Sequence, residues 1–128
     1  MNLLLDTCVV IWLASEPSRL SGIARRLIDD TDNDLAVSHA AVWELVLKSG
    51  AGKLALPMPV RAWLAEQQRR WGFQYLPISL EHFLRTDEIH RHHADPFDRL
   101  MIAQAIIDGL TVVTPDSEFS KYPVHAAW

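Results

Sequence analysis

Four short apolar runs punctuate the chain, each bounded by residues that end strands. Asn2–Leu5 stops at Asp6, and Leu35–Ser38 follows the turn-forming Asp32-Asn33-Asp34. Phe73–Leu76 lies between Gly72 and Pro77, and Leu110–Thr114 between Gly109 and Pro115. Each has strand length and reads as continuous rather than alternating, the pattern of strands buried on both faces of a parallel sheet. Val124–Ala127 is a further apolar segment that offers a fifth strand.

Helical patterns fill the intervals. Val9–Ala14 begins a helix directly after the first strand. Ser21 can cap a helix with Ile23, Ala24, Leu27 and Ile28 on one face. Ser38 can cap another that carries Ala41, Val42, Leu45 and Val46. Pro59 suits the start of a helix through Trp63 and Leu64 to Arg70, and Ser79 can cap a segment with Leu80, Phe83 and Leu84. The clearest start is Asp95-Pro96-Phe97-Asp98, with Asp95 as N-cap, Pro96 at N1 and Asp98 at N3 near the positive helix end. That helix buries Met101, Ile102, Ala105 and Ile106 and stops at Gly109. Strands alternating with helices predict an α/β fold around a parallel sheet of about four to five strands.

Composition narrows this little, but charge does. With 128 residues, 49% hydrophobic and 22% charged, the chain suits a single domain spanning 1–128 with a real core. The one cysteine, Cys8, excludes an internal disulfide framework and reads as a buried small residue rather than a nucleophile. Twelve Lys and Arg against sixteen Asp and Glu give a net charge of −4. That argues against holding nucleic acid mainly on a basic surface, yet leaves room for an enzyme that meets it through a few cations and a bound metal. The longest stretch free of charged residues, Trp71–Leu80, is ten residues long, against the roughly 18 of a membrane span. Arg19 is the first basic residue, so no secretory leader is expected, and the cytoplasm is the default location.

The carboxylates carry the candidate chemistry. In open α/β sheets ligands bind beyond the C-terminal ends of the strands. Asp6 directly follows the first strand, Asp116 follows the fourth after Pro115, and Glu44 lies early on the helix leaving the second. Asp95 and Asp98 open the helix leading into the fourth. Gathered at one rim, these acids repel and need a counter-charge, and oxygen-only ligands favour Mg²⁺ or Mn²⁺ over zinc. Singly, each has a structural reading: Asp6 as a helix cap, Glu44 as the edge of an amphipathic stripe, Asp95 and Asp98 as a capping pair, and Asp116 as a turn residue. Ser49-Gly50-Ala51-Gly52-Lys53 is no phosphate loop, because Leu47 and Leu54 stand where glycine and Ser or Thr are needed. His90, His92 and His93 lack zinc-ligand spacing and read as a solvated loop bringing weak positive charge near the rim.

These residues together resemble the PIN-domain ribonucleases of the VapC type, the toxins of toxin–antitoxin pairs. The resemblance runs nearly end to end. It rests on Leu4-Leu5-Asp6-Thr7 with Trp12-Leu13, Val37-Ser38 with Trp43-Glu44 and Lys48, and Gly52-Lys53-Leu54. It continues through Leu76-Pro77-Ile78, His93-Ala94-Asp95-Pro96-Phe97-Asp98-Arg99 running into Ile102-Ala103-Gln104-Ala105, and Val113-Thr114-Pro115-Asp116. The Asp-Pro-Phe-Asp-Arg run with Ile-Ala-Gln-Ala is its most specific part. Pro115 departs from relatives, which often have a small or charged residue there. The resemblance implies a Rossmann-like sheet and Mg²⁺- or Mn²⁺-dependent cleavage of RNA. It places the acidic site on Asp6, Glu44 and Asp116, with the fourth acid open between Asp95 and Asp98 and Asp98 preferred. It also implies a homodimer and a cognate antitoxin, expected to dock a helix in an apolar groove beside Trp12, Leu13, Trp43 and Val46. Thr7 is read as a phosphate or metal-water contact or a helix cap. Arg99, Lys48 and His93 are read as phosphate contacts, or else as solvated charges or ion-pair partners. A catalytically silent binding module on the same fold is the alternative. A phosphohydrolase would want a second acid two residues after Asp6, where Cys8 stands.

Overall fold

The computed structural model describes residues Met1–Trp128. Five parallel strands form one sheet in the order β3-β2-β1-β4-β5, with β1 (Asn2–Leu5) at the centre. β2 (Asp34–Ser38) and β3 (Gln74–Leu76) extend to one side, β4 (Thr111–Val113) and β5 (His125–Ala127) to the other. Leu3 pairs with Leu35 on one edge of β1 and with Thr111 on the other. Six α-helices connect them: α1 (Thr7–Ser15), α2 (Gly22–Asp29), α3 (His39–Gly50), α4 (Val60–Trp71), α5 (Leu80–Glu88) and α6 (Pro96–Asp108). None is long and apolar enough to cross a membrane.

The continuous apolar runs have the expected consequence. Leu3, Leu4, Leu5, Val37, Val112 and Val113 are fully enclosed, covered by α1, α3 and α6 through Val9, Ala41, Leu45, Met101 and Ile102. The helix starts follow their capping residues. Ser21 accepts from the Ala24 N–H, Ser38 from Ala40, and Asp95 from Phe97 and Asp98. Gly72 and Gly109 end α4 and α6 at φ +70° and +67°, a left-handed backbone that a Cβ would disfavour.

Three expectations need correction. Phe73 is a buried core side chain just outside β3, because its carbonyl accepts from the Gln68 side chain rather than from a strand partner. On α2, Ile23 is half-exposed while Ala24 and Ile28 are buried. On α5, Leu80, Phe83 and Leu84 face outward, with Leu80 70% exposed. The helix is turned by His82, whose Nδ1 accepts from the Ser79 N–H while Nε2 lies 3.0 Å from Asp108 of α6.

Strand order positions the site. From β1 the chain crosses to β2, whereas from β4 it crosses to β5, so the loops after β1 and β4 diverge and open a crevice between them.

Candidate active site

Asp6 enters the crevice as the residue that ends β1 and caps α1. Its N–H extends the ladder to Val113 O at 3.1 Å, and its Oδ1 accepts from the Thr7 N–H at 2.7 Å. Its Oδ2 accepts from the Thr114 hydroxyl at 2.6 Å, and Thr114 Oγ1 in turn accepts from the Asp116 N–H. One buried threonine at the end of β4 thus ties two acids 110 positions apart (Asp6 and Asp116) into one frame. Asp116 caps the following 3₁₀ turn, Ser117–Lys121, through Oδ1.

Glu44 sits on the inner side of α3. Its side chain is only 8% exposed; Oε2 accepts from Lys48 Nζ at 2.7 Å, and Oε1 is buried with no hydrogen-bond partner. Asp95 is occupied at Oδ1 by the Phe97 and Asp98 N–H groups. Asp98, on the first turn of α6, lines the same cleft. The five predicted acids, Asp6, Glu44, Asp95, Asp98 and Asp116, therefore line a single cleft of about 340 Å³, together with Lys48.

This concentration of charge is poorly compensated. Burial raises the Asp6 carboxyl above its ordinary range, and the charges of Glu44 and Asp116 add to it, against the lowering effect of its bonds to Thr114 and Thr7. Asp98 is pushed up to about 7, by burial first and then by the charges of Asp6 and Asp95. The cations present are few. Lys48 stays charged through its bond to Glu44, its pKa raised. Such a site, with an unpartnered buried Glu44 oxygen facing it and carboxylates held against their preference to ionise, fits a hard divalent cation bound through oxygen.

Several side chains depart from expectation. His93 is no solvated loop residue but an ion-pair partner, as one of its readings had it: its Nε2 lies 2.9 Å from Asp98 Oδ2 and 2.9 Å from Asp116 Oδ2. Partial burial opposes its charged form, but the bond to Asp116 and the charges of Asp98, Asp116 and Asp95 outweigh that, so its pKa stands above the usual imidazole value. Arg99 meets neither solvent nor a carboxylate. It is buried and donates to the carbonyls of Thr86, Ile89, His90 and His93, because it projects from α6 under the C-terminal end of α5. Lys48 is an ion-pair partner, as one of its readings had it. Thr7 does not cap α1, which Asp6 does; its hydroxyl is buried and unpartnered beside the cleft. Cys8 is pushed up to about 12 by burial and the charges of Asp6 and Asp98, so it remains an unreactive thiol.

The expected groove also shifts. Leu13 is enclosed in the core, and Trp12 packs against Trp128 and beneath the Arg19 guanidinium. An open apolar surface does lie on the α3 side, which carries the expected Trp43 and Val46, and it extends between α3 and α4. Trp43 is 55% exposed there, and a groove of about 390 Å³ is lined by Val42, Val46, Val60 and Leu64.

The chain is similar to known proteins over nearly its whole length. A family model for the PIN domain matches residues 3–124. The Ribonuclease VapC22 of Mycobacterium tuberculosis is 34% identical over 124 residues, covering 94% of this chain and 92% of that protein. Among solved structures, VapBC2 from Rickettsia felis bound to a promoter DNA fragment superposes with a TM-score of 0.73 at 17% identity, over 99% of this chain and 98% of that one. DNA-bound VapBC from Salmonella typhimurium gives 0.71 at 22% identity, over 99% and 97%.

Proposed function

The chain belongs to the PIN-domain family, and from that premise we propose that it is a metal-dependent ribonuclease, the toxin of a toxin–antitoxin pair. The carrying observation is the cleft itself: five carboxylates from distant parts of the chain share one pocket with too little positive charge to balance them. Asp6, Glu44, Asp98 and Asp116 would hold the ion, Mg²⁺ or Mn²⁺, while Asp95 serves as the cap of α6 and adds field to the pocket. When bound, the ion supplies Lewis-acid polarisation of the scissile phosphate and lowers the pKa of an attacking water.

The chain's own groups do the rest. Thr114 fixes Asp6 relative to Asp116, so their carboxylates enter the cleft preset rather than by rearrangement. A carboxylate oxygen not engaged by the ion would orient the attacking water and take its proton as the phosphorus–oxygen bond to the leaving sugar oxygen breaks. Lys48 holds Glu44 while remaining half-exposed, so its ammonium is open to an arriving RNA phosphate. The exposed Trp43 and the α3–α4 groove suit an apolar helix of the antitoxin. Leu80, Phe83 and Leu84, on a different helix, offer a surface for a second copy of the chain.

The test incubates antitoxin-free protein with structured RNA in Mg²⁺, Mn²⁺ or EDTA, beside Asp6→Asn and Asp116→Asn. Cleavage is expected only in the parent with metal, with each variant reduced at least ~100-fold, since neutralising one carboxylate removes both a ligand and the charge that retains the ion. Cleavage that survives EDTA and both substitutions overturns the mechanism. A folded, metal-loaded parent that cuts no RNA favours the silent binding module.

A further inference from the structure

We infer that His93 is a positioning residue of the acidic cleft, a fixed strut whose Nε2–H spans Asp98 and Asp116 and sets the spacing of their carboxylates. The inference rests on the reading of that cleft as a metal-binding nuclease site. Asp98 belongs to the first turn of α6 and Asp116 to the turn after β4, so their separation depends on how two independent elements dock. Like charges there push the elements apart. A single imidazole nitrogen, 2.9 Å from an oxygen of each, opposes that push.

The ring is held too firmly for a wandering loop side chain. Its Nδ1 accepts from the Asp95 N–H at 3.3 Å, and the His93 N–H donates to the Tyr122 hydroxyl at 2.8 Å. Its carbonyl accepts from Arg99, and its edge meets Phe119 at a centroid distance of 6.0 Å. Tyr122, Phe119 and Arg99 are all buried, so the strut is footed in the core. Arg99 also binds the carbonyls of Thr86, Ile89 and His90, which pins the segment leading to His93 against α6.

The tautomer separates a strut from a ligand. Nε2, the nitrogen that faces the carboxylates, carries a proton both in the imidazolium and in the neutral tautomer whose Nδ1 accepts the Asp95 N–H. Nε2 therefore donates to the two acids instead of offering a lone pair to a cation. Outer-shell donors of this kind orient ligating carboxylates, and their loss typically costs about 10–100-fold in metal affinity.

The experiment measures Mn²⁺ binding to the full-length protein by the loss of the free-ion electron paramagnetic resonance signal. It compares the parent, His93→Phe, His93→Gln and Tyr122→Phe. His93→Phe keeps the aromatic packing on Phe119 and removes the donor; His93→Gln restores an N–H donor without the ring. Tyr122→Phe removes only the hydroxyl that anchors the His93 backbone. Binding is expected to weaken about 10–100-fold in His93→Phe, to recover to within about threefold of the parent in His93→Gln, and to weaken slightly in Tyr122→Phe. Bound Mn²⁺ in the parent is expected to lack the nitrogen coupling of a directly ligated imidazole. Equal or tighter binding by His93→Phe overturns the strut, because the ring is then a bystander or an obstacle. A directly coupled nitrogen overturns it in favour of ligation. A parent that binds no Mn²⁺ overturns the reading of the cleft itself, and the strut with it.

Discussion

Asp98 offers the sharpest thermodynamic test of the cleft, since its carboxyl stands at about 7 against an ordinary value of 3.8. Burial is the first cause, the charges of Asp6 and Asp95 follow, and His93 offsets them in part. An acid whose folded pKa exceeds its unfolded value binds more protons folded than unfolded in the interval between the two. Stability therefore falls as pH rises from about 4 to about 7, and the full penalty persists above that interval. The interval sets a ceiling of about 4 kcal/mol. The side chain keeps 15% exposure, and solvent screening brings the working figure to about 1–2 kcal/mol. Asp98→Asn removes this penalty. It also forfeits a favourable charge at the N-terminus of α6, worth about 0.5 kcal/mol.

The net expectation for Asp98→Asn in EDTA at pH 8 is a gain of about 1 kcal/mol, or about 3–6 °C in melting temperature for a chain of this size. At pH 4.5 the parent carboxyl is already protonated, so the two proteins should melt within about 1 °C of each other. Saturating Mn²⁺ should reverse the order at pH 8. The parent gains about 3 kcal/mol at a hundred times its dissociation constant, and the variant, short of one ligand, gains less. Calorimetric melts at both pH values with and without Mn²⁺ check all three. A variant no more stable than the parent in EDTA at pH 8, or one whose advantage is unchanged at pH 4.5, refutes the account of Asp98 as a carboxylate ionised at a cost.

The framework of the fold was legible because its signals are local. β1 reads as three successive leucines because both its faces are covered, and Ser21, Ser38, Ser79 and Asp95 each stand at a helix start because the first N–H groups of a helix need an acceptor. The orientation of α5 was not legible, because it depends on a tertiary contact. His82 outcompetes three larger apolar side chains for the inward face through its bonds to Ser79 and Asp108.

The acids were legible for a topological reason: a residue that ends a parallel strand has nowhere to go but the carboxyl edge of the sheet. The groups that hold the acids were harder to read. Thr114 looks like one more β-branched strand residue, and nothing in the sequence says that its hydroxyl reaches Asp6. His93 stands in an aperiodic loop whose neighbours, His90 and His92, are exposed. Arg99 did leave a signal. It lies three and four positions before Ile102 and Ala103, on the apolar face of α6, and a cation on a buried stripe implies a set of acceptors beneath it.

Two further substitutions probe surfaces the chemistry does not touch. Trp43→Asp should leave RNA cleavage and melting temperature unchanged while weakening binding of the cognate antitoxin at least ~10-fold, because it places a charge on the exposed apolar face of α3. Calorimetric titration checks it, and undiminished affinity moves the partner to another face. Arg99→Met tests the clamp beneath His93. The guanidinium is buried without a carboxylate, and what compensates it is the cluster of carbonyls at the C-terminal end of α5, where the helix dipole is negative. Methionine fills a similar volume but leaves those carbonyls without their donor, at a cost of about 2–4 kcal/mol. The loss should be local before it is global. Amide exchange between His90 and Ala94 should accelerate while the amides of β1 and β4 keep their protection. Because the same segment carries His93, Mn²⁺ affinity should fall in Arg99→Met in step with that exchange. Accelerated exchange with unaltered Mn²⁺ affinity would show that the order of this loop does not reach the cleft, and the chain of contacts from Arg99 through His93 to Asp98 and Asp116 would carry packing only.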